Sequence, residues 1–139
     1  MRAVLDTVVF VRALINPKGR WGRLLFDLSD RYVIVLSPDV IREVLDVVER
    51  PSLRKRLRRM IGLPPAAQVL RLFEKAEVVE PEEDVRVCRD RSDDKFFACA
   101  IEGRAEYIVS EDKDILAVGE FRGVRCVTAQ EFLTLIEEA

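Results

Sequence analysis

The sequence predicts an α/β domain built on a mostly parallel, five-stranded sheet covered by helices on both faces. Three observations predict it. Short apolar runs alternate with amphipathic segments along the whole chain, the order of strands joined by right-handed helical crossovers. The runs are continuously apolar, as in Tyr107-Ile108-Val109, which is the pattern of strands buried on both faces. Acids follow directly on two of them: Asp6 after Ala3 to Leu5, and Glu111, Asp112 and Asp114 after Tyr107 to Val109. In open α/β sheets the carboxyl ends of the strands are where ligands bind.

Taken in order, Ala3 to Leu5 is the first strand and Thr7 to Ile15 the first helix, closed by the turn cluster Asn16-Pro17-Lys18-Gly19. Trp21 to Leu28 reads as a second helix, with Trp21, Leu24, Leu25 and Leu28 on one side. Tyr32 to Leu36 is the second strand. Ser37, Pro38 and Asp39 then supply the cap and first-turn proline of a helix from Val40 to Val48, which carries Glu43. The basic run Ser52 to Met60 reads as an amphipathic helix with Leu53, Leu57, Met60 and Ile61 on one face. Gly62 to Pro65 is a break, Ala66 to Lys75 a helix and Glu77 to Val79 the third strand.

The acid-rich loop Glu80 to Asp84 leads to the stretch that organises the chain, DRSDDKFFACAIEGRAEYIVSEDKDIL from Asp90 to Leu116. Asp93 and Asp94 stand at a helix start, and Phe96, Phe97, Ala100 and Ile101 form its apolar stripe before Gly103 ends it. Tyr107 to Val109 is the fourth strand and Val124 to Val127 the fifth. Thr128 caps a last helix from Ala129 to Glu137.

Composition narrows the chemistry. The 139 residues suit one domain with one core. No apolar run approaches the roughly 20 residues that cross a bilayer, and Asp6 and Arg12 interrupt the apolar start, so a cytoplasmic protein without a membrane anchor is expected. Three cysteines, Cys88, Cys99 and Cys126, show no C-x-x-C spacing and suggest buried small hydrophobes. The chain has no histidine, which excludes His-dependent triads, His-metal sites and imidazole acid-base schemes. A net charge of -2 gives no global attraction to nucleic acid, although 18 of the 23 basic residues are arginine.

The chemistry therefore falls to carboxylates. If the strands before Asp6 and Asp112 are neighbours at the topological switch point, these carboxylates converge there with Asp114, while Asp94 and Glu43 sit near helix starts facing the same edge. Several carboxylates so crowded repel one another by several kcal/mol at low effective dielectric. A cation makes that arrangement reasonable, and an all-oxygen donor set suits Mg²⁺ or Mn²⁺. Such an ion activates a water and stabilises charge on a phosphodiester, so hydrolysis of nucleic acid is the natural reaction class.

With VLDT at residues 4 to 7, ALINPKG at 13 to 19, SPDVIREV at 37 to 44, DDKFFACA at 93 to 100 and YIVSEDKDIL at 107 to 116, the chain resembles a PIN domain over nearly its whole length. The branch it resembles is the toxin component of toxin–antitoxin pairs, VapC-like proteins. The resemblance implies a doubly wound, three-layer α/β/α sandwich and a metal-dependent endoribonuclease using Mg²⁺ or Mn²⁺. It implies that Asp6, Glu43, Asp94 and Asp112 are the acidic catalytic quartet, that Asp6, Asp94, Asp112 and Asp114 bind metal, and that Thr7 and Ser110 support them. Asp94 is preferred to Asp93 because it keeps the family's spacing to Phe97 and Ala98. RNA, an antitoxin protein laid across the acidic groove and a second copy of the chain are the implied partners, with Trp21 to Leu28 and Ala66 to Phe73 as candidate dimer contacts. Two positions depart from the family's pattern: Val8 stands where relatives carry Asn, and Arg12 where Ser or Thr is common.

Each feature also has an ordinary structural explanation. Asp6 and Asp94 suit helix caps or first turns, Glu43 a solvated helix face, and Asp112 with Asp114 a charged loop. Arg54, Lys55 and Arg58 form either a phosphate-tracking surface or the wet side of an amphipathic helix. Phe96 and Phe97 suit a core, and Trp21 suits a core or a partner surface. Val8 and Arg12 motivate the alternative of a PIN scaffold that binds RNA or protein without cutting. A receiver or aspartate-nucleophile phosphatase lacks its required second acid, since position 8 is Val and Glu80-Pro81 offers no acceptor Asp.

Overall fold

The computed structural model describes residues 1–61 and 65–139. Six strands form one sheet: β1 (Arg2–Leu5), β2 (Val33–Leu36), β3 (Glu77–Val78), β4 (Tyr107–Val109), β5 (Glu120–Phe121) and β6 (Val124–Val127). Their order is β3-β2-β1-β4-β6-β5, parallel throughout except for β5 against β6. The five expected strands are all present, so the expected α/β class with a mostly parallel sheet holds, and β5 is the addition. It arises from a two-residue hairpin in which Arg122 and Gly123 both take positive φ, 51° and 89°, the requirement of a type I′ turn. In β1, Ala3, Val4 and Leu5 are all fully buried. Successive strand residues point to opposite faces, so both faces of the sheet are covered.

Among the described residues eight helices flank the sheet: α1 (Thr7–Ile15), α2 (Arg20–Gly22), α3 (Pro38–Val48), α4 (Pro51–Ile61), α5 (Pro65–Phe73), α6 (Asp94–Glu102), α7 (Lys113–Val118) and α8 (Ala129–Glu138). Ser37 caps α3 through its side chain with Pro38 in the first turn, and Thr128 with Glu131 forms a capping box on α8. The expected helix from Trp21 to Leu28 is instead the short α2 followed by a π-helical turn, Arg23–Asp27, closed by Leu28 N–H donating to Arg23 O at 3.0 Å. Gly22 is needed there, because a Cβ would lie 2.0 Å from the Pro17 carbonyl oxygen. Helix α7 falls where only a charged loop was expected. Of the break between α4 and α5, residues 62–64 lie outside the described residues.

The core gathers Phe10, Phe96, Phe97 and Phe132 with the strand residues, and edge-to-face pairs such as Phe10–Phe73 at 5.5 Å knit it. Phe96 and Phe97 are therefore packing residues. Cys88 and Cys99 are buried and Cys126 half-buried, all with free thiols. No described helix is long and apolar enough to cross a membrane.

Candidate active site at the carboxyl edge of the sheet

Strand β1 lies between β2 and β4, pairing parallel with each, and Leu5 is in register with Val109. The chain order reverses here, so the residues that follow β1 and β4 emerge side by side at the switch point. Asp6 and Ser110 are those residues. Asp6 is 3% exposed and caps α1, its Oδ1 accepting from the Val9 N–H at 3.0 Å. Its Oδ2 accepts from the Ser110 hydroxyl, and the same Ser110 oxygen accepts from the Asp112 N–H at 2.9 Å. One buried hydroxyl thus ties the first acid to the backbone of the fourth. Asp112 is exposed and caps α7, accepting from the Asp114 N–H at 2.7 Å.

Burial pushes the Asp6 carboxyl up to about 6, with Asp112 and Glu111 adding like-charge repulsion against the opposing Ser110 and Val9 hydrogen bonds. Asp93 is pushed up to about 6 as well, first by desolvation and then by Asp112, Asp90, Glu43 and Asp6. Like-charge repulsion thus links Asp93 to Asp112, Asp90, Glu43 and Asp6, and Asp6 to Asp112 and Glu111. Asp114 is not among the acids that raise Asp6 or Asp93; it sits half-buried in the first turn of α7.

Asp94 does something different from its neighbour. It is 7% exposed, and its Oδ1 accepts from two backbone N–H groups, Val87 at 3.0 Å and Cys88 at 2.7 Å. It anchors the loop before α6. Asp93, the residue the spacing passed over, is coupled to Asp112, Glu43 and Asp6. The signal available in the sequence was the Asp-Asp pair itself.

Glu43 is held at both oxygens. Thr7 Oγ1 donates to Oε2, and Lys95 Nζ reaches Oε1 at 2.6 Å. Both partners of the ion pair are largely enclosed, with side chains 29% and 23% exposed. Lys95 was not singled out from the sequence, because its partner lies 52 positions away.

As they stand, no three metal-binding side chains among the described residues are gathered tightly enough to hold one ion. The chemistry of the donors nonetheless fits a hard divalent cation: the set is all oxygen, and two members are costly to ionise beside the others. A cleft of about 410 Å³ lies to one side, its lining including Ser37, Asp39, Glu82 to Asp84, Asp94 and Lys95. It reaches the site through Lys95 and not through Asp6 or Asp112.

The residues of the expected nucleic-acid surface lie on the exposed face of α4. Arg54, Lys55 and Arg58 of α4 are exposed while Leu57 is fully buried, and Arg54 pairs with Glu49 at 3.4 Å. Met60 is 50% exposed and does not join the apolar face; the Ile61 side chain lies outside the described residues. The departing positions have places too. Val8 is exposed at the start of α1, and the Arg12 guanidinium lies 4.9 Å from the Trp21 ring centroid, with Arg20 at 5.5 Å.

The PIN domain family model matches residues 2–114. The protein named "Uncharacterized protein MJ1680" from Methanocaldococcus jannaschii is 35% identical over 121 residues, spanning 85% of this chain and 75% of that protein. Among solved structures, VapBC2 from Rickettsia felis bound to a DNA fragment from their promoter aligns with a TM-score of 0.60, covering 92% of this chain and 98% of that chain at 12% identity, a likeness of fold. The match begins at β1 and runs through the strand-end acids into α7, and with it the chain belongs to the PIN domain family.

Proposed function

We propose that the chain is a metal-dependent endoribonuclease that hydrolyses RNA phosphodiester bonds as the toxin of a toxin–antitoxin pair. The observation that carries this reading is Asp6: a buried carboxylate, at the switch point, within electrostatic reach of Asp93 and Asp112. Asp6, Asp93 and Asp112 would hold Mg²⁺ or Mn²⁺, with Glu43 as the fourth acid and Asp114 as an outer one. Bound there, the ion supplies Lewis acidity and an activated water. Ser110 fixes the Asp6 carboxylate and Thr7 orients Glu43, whose Oε1, when free, accepts the proton of an attacking water. Asp94 acts by fixing the loop that precedes Asp93.

Residues 1–139 serve as one nuclease domain, acting in the cytoplasm. Arg54, Lys55 and Arg58 supply sequence-independent attraction for RNA phosphates. An antitoxin partner is supported by the fold shared with VapBC2. A homodimer is supported by apolar side chains exposed on both candidate contact segments, Phe26 at 43% and Leu70 at 52%.

The test is cleavage of a mixed-sequence single-stranded RNA with Mg²⁺, with Mn²⁺ and with EDTA, by wild type, Asp6→Asn and Asp93→Asn. Metal-dependent cutting that disappears in both folded variants is the expected result. Equal activity of wild type and variants would trace the cutting to a contaminant. Inactivity of all three on varied RNAs would leave the scaffold reading, which the blocked Glu43 and the apolar Val8 favour.

A further inference from the structure

Lys95 sits where a cation is disfavoured. It is the second residue of α6, in the helix's first turn, where the N-terminal end of the dipole repels positive charge. Its ammonium is nevertheless drawn inward to Glu43 Oε1 at 2.6 Å, and its side chain is only 23% exposed. It also forms the wall between two clefts, one lined by Asp39 and Asp94, the other by Asp39, Glu43 and Asp46. A long, flexible, strongly hydrated side chain gives up water and rotamer freedom to stay there, so a compensating attraction is needed. The acids facing it supply that attraction.

With Thr7 on Oε2 and Lys95 on Oε1, Glu43 has its best-placed lone pairs engaged before any metal arrives. We infer that Lys95 is a resident counter-ion, which neutralises Glu43 at the edge of the acid cluster in the metal-free protein and opposes a divalent cation there by like-charge repulsion. This inference rests on the metal-site reading above. Lys95 then stabilises the empty site and weakens metal affinity, setting the metal concentration at which the site loads.

The test is calorimetric titration of the purified chain with Mn²⁺ alone at pH 7.5, paired with melting temperatures in EDTA, for wild type, Lys95→Met and Lys95→Arg. Lys95→Met is expected to melt lower in EDTA and to bind Mn²⁺ about three- to tenfold more tightly, the scale of removing one partly screened charge near the ion. Lys95→Arg keeps the charge and is expected to match wild type within about twofold, the control being retention of the ion pair. If Lys95→Met does not fold, Lys95→Gln, which retains a donor for Glu43 without the charge, carries the same expectation. Mn²⁺ affinity unchanged or weakened in the folded neutral variant overturns the counter-ion role. Failure of wild type to bind Mn²⁺, or binding by Asp6→Asn equal to wild type, removes the metal-site reading and this inference together; loss of binding in Asp6→Asn with no effect at Lys95 removes this inference alone.

Discussion

Asp6→Asn should make the metal-free protein more stable at neutral pH while destroying its metal response. The Asp6 carboxyl is raised from 3.8 to about 6, a rise of roughly two pH units, chiefly because it is buried. Since the folded-state value lies above the unfolded one, the stability associated with the protonated acid is complete below about pH 3.8 and is lost as pH rises through about 6. At about 1.4 kcal/mol per unit, keeping Asp6 ionised at pH 7.5 costs a ceiling of about 3 kcal/mol. An asparagine avoids that cost and keeps an oxygen for the Val9 N–H, and the opposing bond from Ser110 is already contained in the net rise. The gain is therefore at most about 3 kcal/mol, or up to about 10 °C in Tm for a domain of this size. The assay is thermal unfolding in EDTA and in Mn²⁺ at pH 5.0 and 7.5. Asp6→Asn should exceed wild type most at pH 7.5 in EDTA, the gap should shrink at pH 5.0, and Mn²⁺ should raise only the wild type. A destabilised Asp6→Asn at pH 7.5 in EDTA, or a gap that ignores pH, would refute the claim that burial of an ionised carboxylate dominates here.

The two neighbouring acids at the start of α6 should separate cleanly. Asp94→Ala leaves the Val87 and Cys88 N–H groups without their acceptor and should lower stability by about 2–4 kcal/mol in denaturant titrations, whereas Asp93→Asn should leave stability intact or raised and abolish cleavage. Ser110→Ala removes a hydroxyl that lowers the Asp6 value, so the pH at which the metal-free protein loses the stability of protonated Asp6, followed by thermal unfolding in EDTA, should move upward. Replacing Arg54, Lys55 and Arg58 with Glu should weaken RNA binding and flatten its dependence on salt, the slope of log affinity against log salt falling by up to about 2, roughly 0.7 for each of three phosphate contacts on a single strand. Gly103→Ala would drive a Cβ to 2.2 Å from Val35 Cγ1 and should cost about 1–3 kcal/mol by overpacking α6 against β2.

Much of the fold was legible because its signals are local. Asp6 ending a strand, Ser37-Pro38 and Thr128 opening helices, and continuous apolar runs each act within a few residues, and α1 (Thr7–Ile15) and β6 (Val124–Val127) fall on the expected boundaries. The elements that sequence reading lacked are those whose local signal is short. Helix α7 is six residues whose only marks are the Asp112 cap and Gly119 at its end, and β5 is two residues defined by the turn that pairs them with β6. The break in the second helix is a packing event, since Gly22 sits against Pro17 at a distance that residue spacing does not encode.

For the site, the sequence by itself narrowed the chemistry to carboxylates: it has no histidine, and acids follow β1 and β4. Only the tertiary structure decided which acids meet. It paired β1 with β4, brought Asp6 and Asp112 onto one buried serine, turned Asp94 toward backbone amides and left Asp93 to face the cluster. It alone brought Lys95 to Glu43 across 52 positions of chain. The physical reason is one of range: caps, periodicity and turns are set by neighbours along the chain, whereas desolvation and Coulomb coupling depend on which side chains the completed core leaves side by side.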